Sequence, residues 1–103
     1  MPRVTIQYFT GCPHWQLTDE RVRIAARGRD DIRIDHQLVE TAEEAQRLGF
    51  RGSPTILVDG FDPFAEPDQP IGLSCRLYRT PEGLAGAPTV DQLTDALAEH
   101  EDG

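Results

Sequence analysis

The chain has 103 residues, with 18 acidic side chains against 10 Lys and Arg and a formal net charge of −8, enough for one hydrophobic core and a single domain spanning residues 1–103. The acidic balance excludes a phosphate-neutralising surface and with it nucleic acid as a partner: Arg21, Arg23, Arg27, Arg29 and Arg33 cluster, but Asp30 and Asp31 offset them. No apolar run approaches the ~18 residues that cross a bilayer and no basic-then-apolar leader opens the chain, so no membrane role and a cytoplasmic location are expected.

Val4, Ile6 and Tyr8 alternate with Thr5 and Gln7 ahead of Gly11, which predicts a first strand. Pro13 suits the first position of a helix, where its missing N–H has no intrahelical partner. Trp15, Val22, Ala25 and Ala26 then keep near-helical spacing to about Arg27, and Gly28 ends the helix. Ile32, Ile34, His36 and Leu38 alternate with polar residues as a second strand. Thr41 and Glu44 form a capping box over a short helix that stops at Gly49.

Thr55–Val58 is a third strand closed by Asp59-Gly60, and Phe61 to Gly72, with Pro63, Pro67 and Pro70, is irregular. Ser74 to Arg79 reads as a fourth strand. Turns around Pro81, Gly83 and Gly86 lead to a second capping box, Thr89 with Gln92, over a final helix bearing Val90, Leu93, Ala96 and Leu97. The tail from Glu99 is expected to fray. A right-handed crossover makes the first two strands parallel, and the third and fourth are expected to pair as an antiparallel hairpin. The expected fold is α/β: a four-stranded mixed sheet with helices on both faces, in the order strand, helix, strand, helix, strand, strand, helix.

Cys12 falls where the first strand runs out and the first helix begins, in Thr10-Gly11-Cys12-Pro13-His14-Trp15. Unpaired amides and the positive end of the helix macrodipole favour a thiolate there, so Cys12 is expected to be exposed and ionised, with a pKa below the ordinary ~8.5. A protonated His14 would act in the same direction. The alternative is a small buried cysteine, inert in apolar surroundings.

The element order, Gly11-Cys12-Pro13-His14 after the first strand, and Gly52-Ser53-Pro54-Thr55 opening the third resemble the thioredoxin and glutaredoxin superfamily. The resemblance implies that Pro54 is cis and faces Cys12, and that the Ser53 backbone pairs with an extended substrate. Trp15 stands where a dithiol oxidoreductase carries its second cysteine. What the resemblance implies is therefore a monothiol redox protein, in which Cys12 attacks a disulfide or another electrophile and a low-molecular-weight thiol, as co-substrate, releases the product. The expected partners are a small thiol or a disulfide-bearing protein, with no bound cofactor. Trp15 itself either covers the start of the core or contributes apolar contact to a substrate.

Cys75 is the other candidate thiol. In a simple antiparallel register Asp59 lies level with Cys75 and Pro54 with Thr80, which puts Cys75 roughly 15 Å from the Pro54 end of the sheet, against a Cα separation under about 7 Å for a disulfide. Cys75 is then either a buried strand cysteine or, if the proline-rich loop lets the register slip, a chemical partner. Two distant cysteines with the later one in Ser74-Cys75-Arg76-Leu77-Tyr78 also loosely resemble organomercurial lyases, which implies soft-metal binding between two thiolates. In those enzymes an acid stands where this chain has Trp15, and Asp19 is a poor substitute. His14, His36 and His100 show no ligand spacing, so no metal site is expected from them. A third possibility is a non-catalytic module that presents the Ser53 edge, Trp15, Phe61 and Phe64 to a partner. The oligomeric state is left open.

Overall fold

The computed structural model describes residues 3–12, 14–29, 31–66 and 70–99. The expectations for Pro13 at the helix start, for Asp30 and Pro67, and for His100 and the tail beyond 99 lie outside the described residues. The elements are β1 (Arg3–Tyr8), α1 (His14–Ala25), β2 (Arg33–Leu38), α2 (Ala42–Leu48), β3 (Thr55–Val58), β4 (Tyr78–Thr80), β5 (Gly83–Ala85) and α3 (Val90–Glu99).

β1 is the central strand of the main sheet, whose order is β2-β1-β3. It runs parallel to β2, with Val4 opposite Ile34, and antiparallel to β3, with Val4 opposite Val58 and Ile6 opposite Ile56. Side chains alternate along a strand, so Val4, Ile6, Ile56 and Val58 share one face. Val22 of α1, Leu93 and Leu97 of α3, and Tyr78 of β4 close over that face as the main core. Each such aliphatic side chain contributes about 1.5–3 kcal/mol by leaving water. A second cluster joins Ala45 of α2 to Val39 and Phe50.

The helix caps follow their sequence signals. Thr41 Oγ1 accepts from the Glu44 N–H at 3.1 Å, and Gly49 closes α2 in the left-handed region at φ 68°. Thr89 and Gln92 cap α3 reciprocally: Thr89 Oγ1 accepts from the Gln92 N–H at 3.1 Å and Gln92 Oε1 from the Thr89 N–H at 2.9 Å.

The fourth strand departs from expectation. The main sheet has three strands, and Ser74–Arg79 does not pair with β3. Only Tyr78–Thr80 is regular, as a separate antiparallel hairpin with β5, Tyr78 opposite Ala85. The cause lies at the end of β3. There Asp59 and Gly60, both at positive φ, make a tight turn in which Val58 and Phe61 exchange hydrogen bonds at 2.7 and 3.0 Å. Val58, where the hairpin register would begin, has its N–H and C=O satisfied by Phe61. The returning chain therefore runs past β3 and settles beside Ser53 instead.

Candidate thiol pair beside Ser53

The turn out of β1 is closed by the Cys12 N–H donating to the Phe9 carbonyl at 3.1 Å. This delivers the Cys12 thiol to Ser53, whose carbonyl accepts from Sγ at 3.2 Å. The expectation of an exposed sulfur is corrected, for Cys12 is only 1% exposed. Its immediate neighbours are nevertheless polar, namely the Ser53 carbonyl and the Cys75 thiol. Ser53 is wholly buried, its peptide bond to Pro54 is cis, and its Oγ accepts from the Phe9 N–H at 3.3 Å.

Both backbone groups of Ser53 are taken by the chain itself. The Ser53 N–H donates to the Ser74 carbonyl at 2.7 Å, and the Ser53 carbonyl accepts from the Arg76 N–H at 2.9 Å, so Cys75 lies in a parallel bridge with Ser53. The two cysteines, expected about 15 Å apart, are therefore neighbours, because the bridge is parallel and the register begins at Ser53 rather than at Asp59. Both are free thiols, and Cys12 lies close enough to act on Cys75. The neighbouring Cys12 side chain, with desolvation adding to it, pushes the Cys75 thiol above its ordinary value.

Cys75 is also exposed, not the buried strand residue that was the alternative. The alternation runs in the opposite phase: Arg76 and Tyr78, each 3% exposed, point inward, while Leu77 faces solvent. Arg76 is held by β3 and the loop after it. Its guanidinium donates to Asp62 at 2.8 and 3.3 Å, to the Phe64 carbonyl at 2.7 Å and to Thr55 Oγ1 at 3.4 Å, and it lies 4.6 Å from the Tyr78 ring centre. The Tyr78 hydroxyl donates to the Pro54 carbonyl, and burial pushes its phenol far up. Arg76 and Tyr78 together tie the Cys75 segment to both sides of the Ser53-Pro54 step.

Gly52 lets the segment come this close. It sits at φ +107°, and a Cβ there would meet Arg76 Cβ at 3.0 Å and the Ser74 carbonyl oxygen at 3.1 Å. Gly52→Ala is expected to cost about 1–3 kcal/mol through the left-handed backbone alone. It should also push residues 74–76 off Ser53, so chemical denaturation and the rate of Cys12–Cys75 cross-linking should both report the change.

The other sequence-derived residues are placed elsewhere. The His14 ring lies over Gly86, whose hypothetical Cβ would fall 2.6 Å from it. Trp15 stacks on Tyr8 at 4.3 Å between ring centres and meets His36 edge-on at 5.3 Å. His36 Nε2 is 2.8 Å from Asp19 Oδ1, and Arg23 Nε donates to Asp19 Oδ2 at 3.0 Å. Burial works to raise the Asp19 carboxyl, but the bonds and charges of Arg23 and His36 outweigh it and hold the group below its ordinary value. A carboxyl lowered by folding adds stability that is present above the ordinary carboxylate range, about pH 4, and is lost as pH falls through the lowered value. The stability advantage of the native chain over Asp19→Asn should accordingly be full at neutral pH and fade in acid urea titrations.

No family model, curated protein or solved structure matches this chain. Among the described residues no group of three or more His, Cys, Asp or Glu could hold a metal ion, and no helix is long and apolar enough to cross a membrane. The functional residues that sequence reasoning missed are Gly52, Asp62, Arg76 and Tyr78. The one available signal was the i, i+2 spacing of Arg76 and Tyr78, out of phase with Cys75.

Proposed function

We propose that this protein is a thioredoxin-like thiol redox protein whose working couple is Cys12 with Cys75, cycling between two thiols and one intramolecular disulfide. The observation that carries this reading is the meeting of both thiols at Ser53. It replaces the one-thiol scheme implied by Trp15, since the second sulfur of the couple comes from residue 75 rather than from the helix. The β2-β1-β3 order and the position of Ser53-Pro54 beside Cys12 support the resemblance on which the fold assignment rests.

On oxidation by a disulfide, the two cysteines give up two electrons and two protons, one sulfur–sulfur bond forms within the chain and one breaks in the oxidant, which leaves as two thiols. In a reducing cytoplasm the pair rests as the dithiol and closes on exposure to an oxidant. Titration in dithiothreitol buffers of graded potential tests this. Both thiols should disappear together along a two-electron curve, about 30 mV for each tenfold change in ratio. Independent loss of each thiol as a separate adduct would refute the couple.

The same adjacency favours one second reading, a two-thiolate site for a soft cation such as mercury(II) or copper(I). One tightly bound equivalent, lost in either Cys12→Ser or Cys75→Ser, is the result that reading requires.

A further inference from the structure

Thiol–disulfide exchange needs three sulfurs nearly in line, so the attacked sulfur must bring its second substituent up to the nucleophile. Cys12, 1% exposed beneath Ser53 and Cys75, has no room for that substituent, whereas Cys75 faces solvent. An extended polypeptide would dock by bonding the N–H and C=O of Ser53, and both are already bonded to residues 74 and 76. That segment is fixed on its far side by the buried Arg76 and on its near side by the Gly72 N–H, which donates to the Phe50 carbonyl at 3.1 Å. Residues 74–76 hold the place a polypeptide partner would take.

We propose that exchange enters at Cys75, that Cys12 is the resolving thiol, and that the external disulfide is a small molecule rather than an extended polypeptide. This rests on the Cys12–Cys75 couple proposed above. Cys75 loses its proton to solvent and attacks one sulfur of a small disulfide; that disulfide's bond breaks, and one thiolate leaves and is protonated. Cys12 then gives up its proton and attacks the Cys75 sulfur of the mixed disulfide, and the second small thiol leaves with that proton. Two electrons have passed from the cysteine pair to the small disulfide. The raised proton affinity of Cys75 slows the first step but leaves its position unchanged, because exposure decides which sulfur can be reached.

The test uses the native chain and 2-hydroxyethyl disulfide, with acid quenching at short times and peptide mapping of the first adduct. The first adduct is expected on Cys75, and a first adduct on Cys12 overturns the proposal. Single variants provide a second readout: Cys75 in Cys12→Ser should be modified on the order of tenfold faster than Cys12 in Cys75→Ser, and equal or reversed rates overturn the order of attack. A linear peptide carrying the same mixed disulfide should react no faster than the small probe; a faster peptide overturns the assigned substrate class. Adducts that form on Cys75 in the native chain but never convert to a cross-link overturn the underlying couple instead, which separates the two failures.

Discussion

Oxidised protein carrying the Cys12–Cys75 bond is expected to resist denaturant more strongly than reduced protein, by about 4 kcal/mol. The loop from residue 12 to residue 75 closes roughly sixty residues of unfolded chain, and the chain-entropy relation gives that figure for a loop of this length. The thermodynamic cycle makes the statement symmetrical: to the extent that the disulfide stabilises the fold, the fold favours the disulfide over the unfolded dithiol. Guanidinium unfolding with and without dithiothreitol measures it, and Cys75→Ser, which has no partner to close on, should show no shift on oxidation. A shift near zero in the native chain would mean that the fold must distort to bring the sulfurs to bonding distance.

Asp62→Ala is expected to destabilise the protein by about 3–5 kcal/mol, because it leaves the Arg76 guanidinium charged and unpaired in the interior. The Arg76 side chain is 1% exposed and its Nε is already buried without a partner, so it depends on Asp62 and on the Phe64 carbonyl. Against a total stability of about 5–15 kcal/mol for a domain, that loss is large. Replacing the pair together, Asp62→Leu with Arg76→Met, should recover most of it, since a buried ion pair can be exchanged for packed apolar groups at little net cost. Urea titration of the single and double variants provides the comparison. A single variant as stable as the native chain would show that the pair does not hold the Cys75 segment.

The parts of the fold legible in the sequence were those set by local physics. Period-two alternation in Val4-Thr5-Ile6-Gln7-Tyr8 and the apolar run Thr55–Val58 marked β1 and β3, and Thr41/Glu44 and Thr89/Gln92 marked the starts of α2 and α3. Most of what was not legible depends on residues far apart in sequence. Arg76 reads as a surface residue until Asp62 is known to reach it, and with that phase reversed Cys75 turns from the interior to solvent. Cys12 sits where a helix start would activate it, yet its burial depends on Ser53 and Cys75, which arrive from distant parts of the chain. The antiparallel register failed because the Val58–Phe61 bonds close the end of β3, a contact between near neighbours that no apolar pattern announces.

The proposed redox couple joins two cysteines separated by most of the chain. Peptide mapping of mildly oxidised protein, digested without reductant, tests it most directly. The expected product is a monomer in which the Cys12 peptide is linked to the Cys75 peptide and released by dithiothreitol. Recovery of both peptides unlinked, or linked only between different chains, would contradict it.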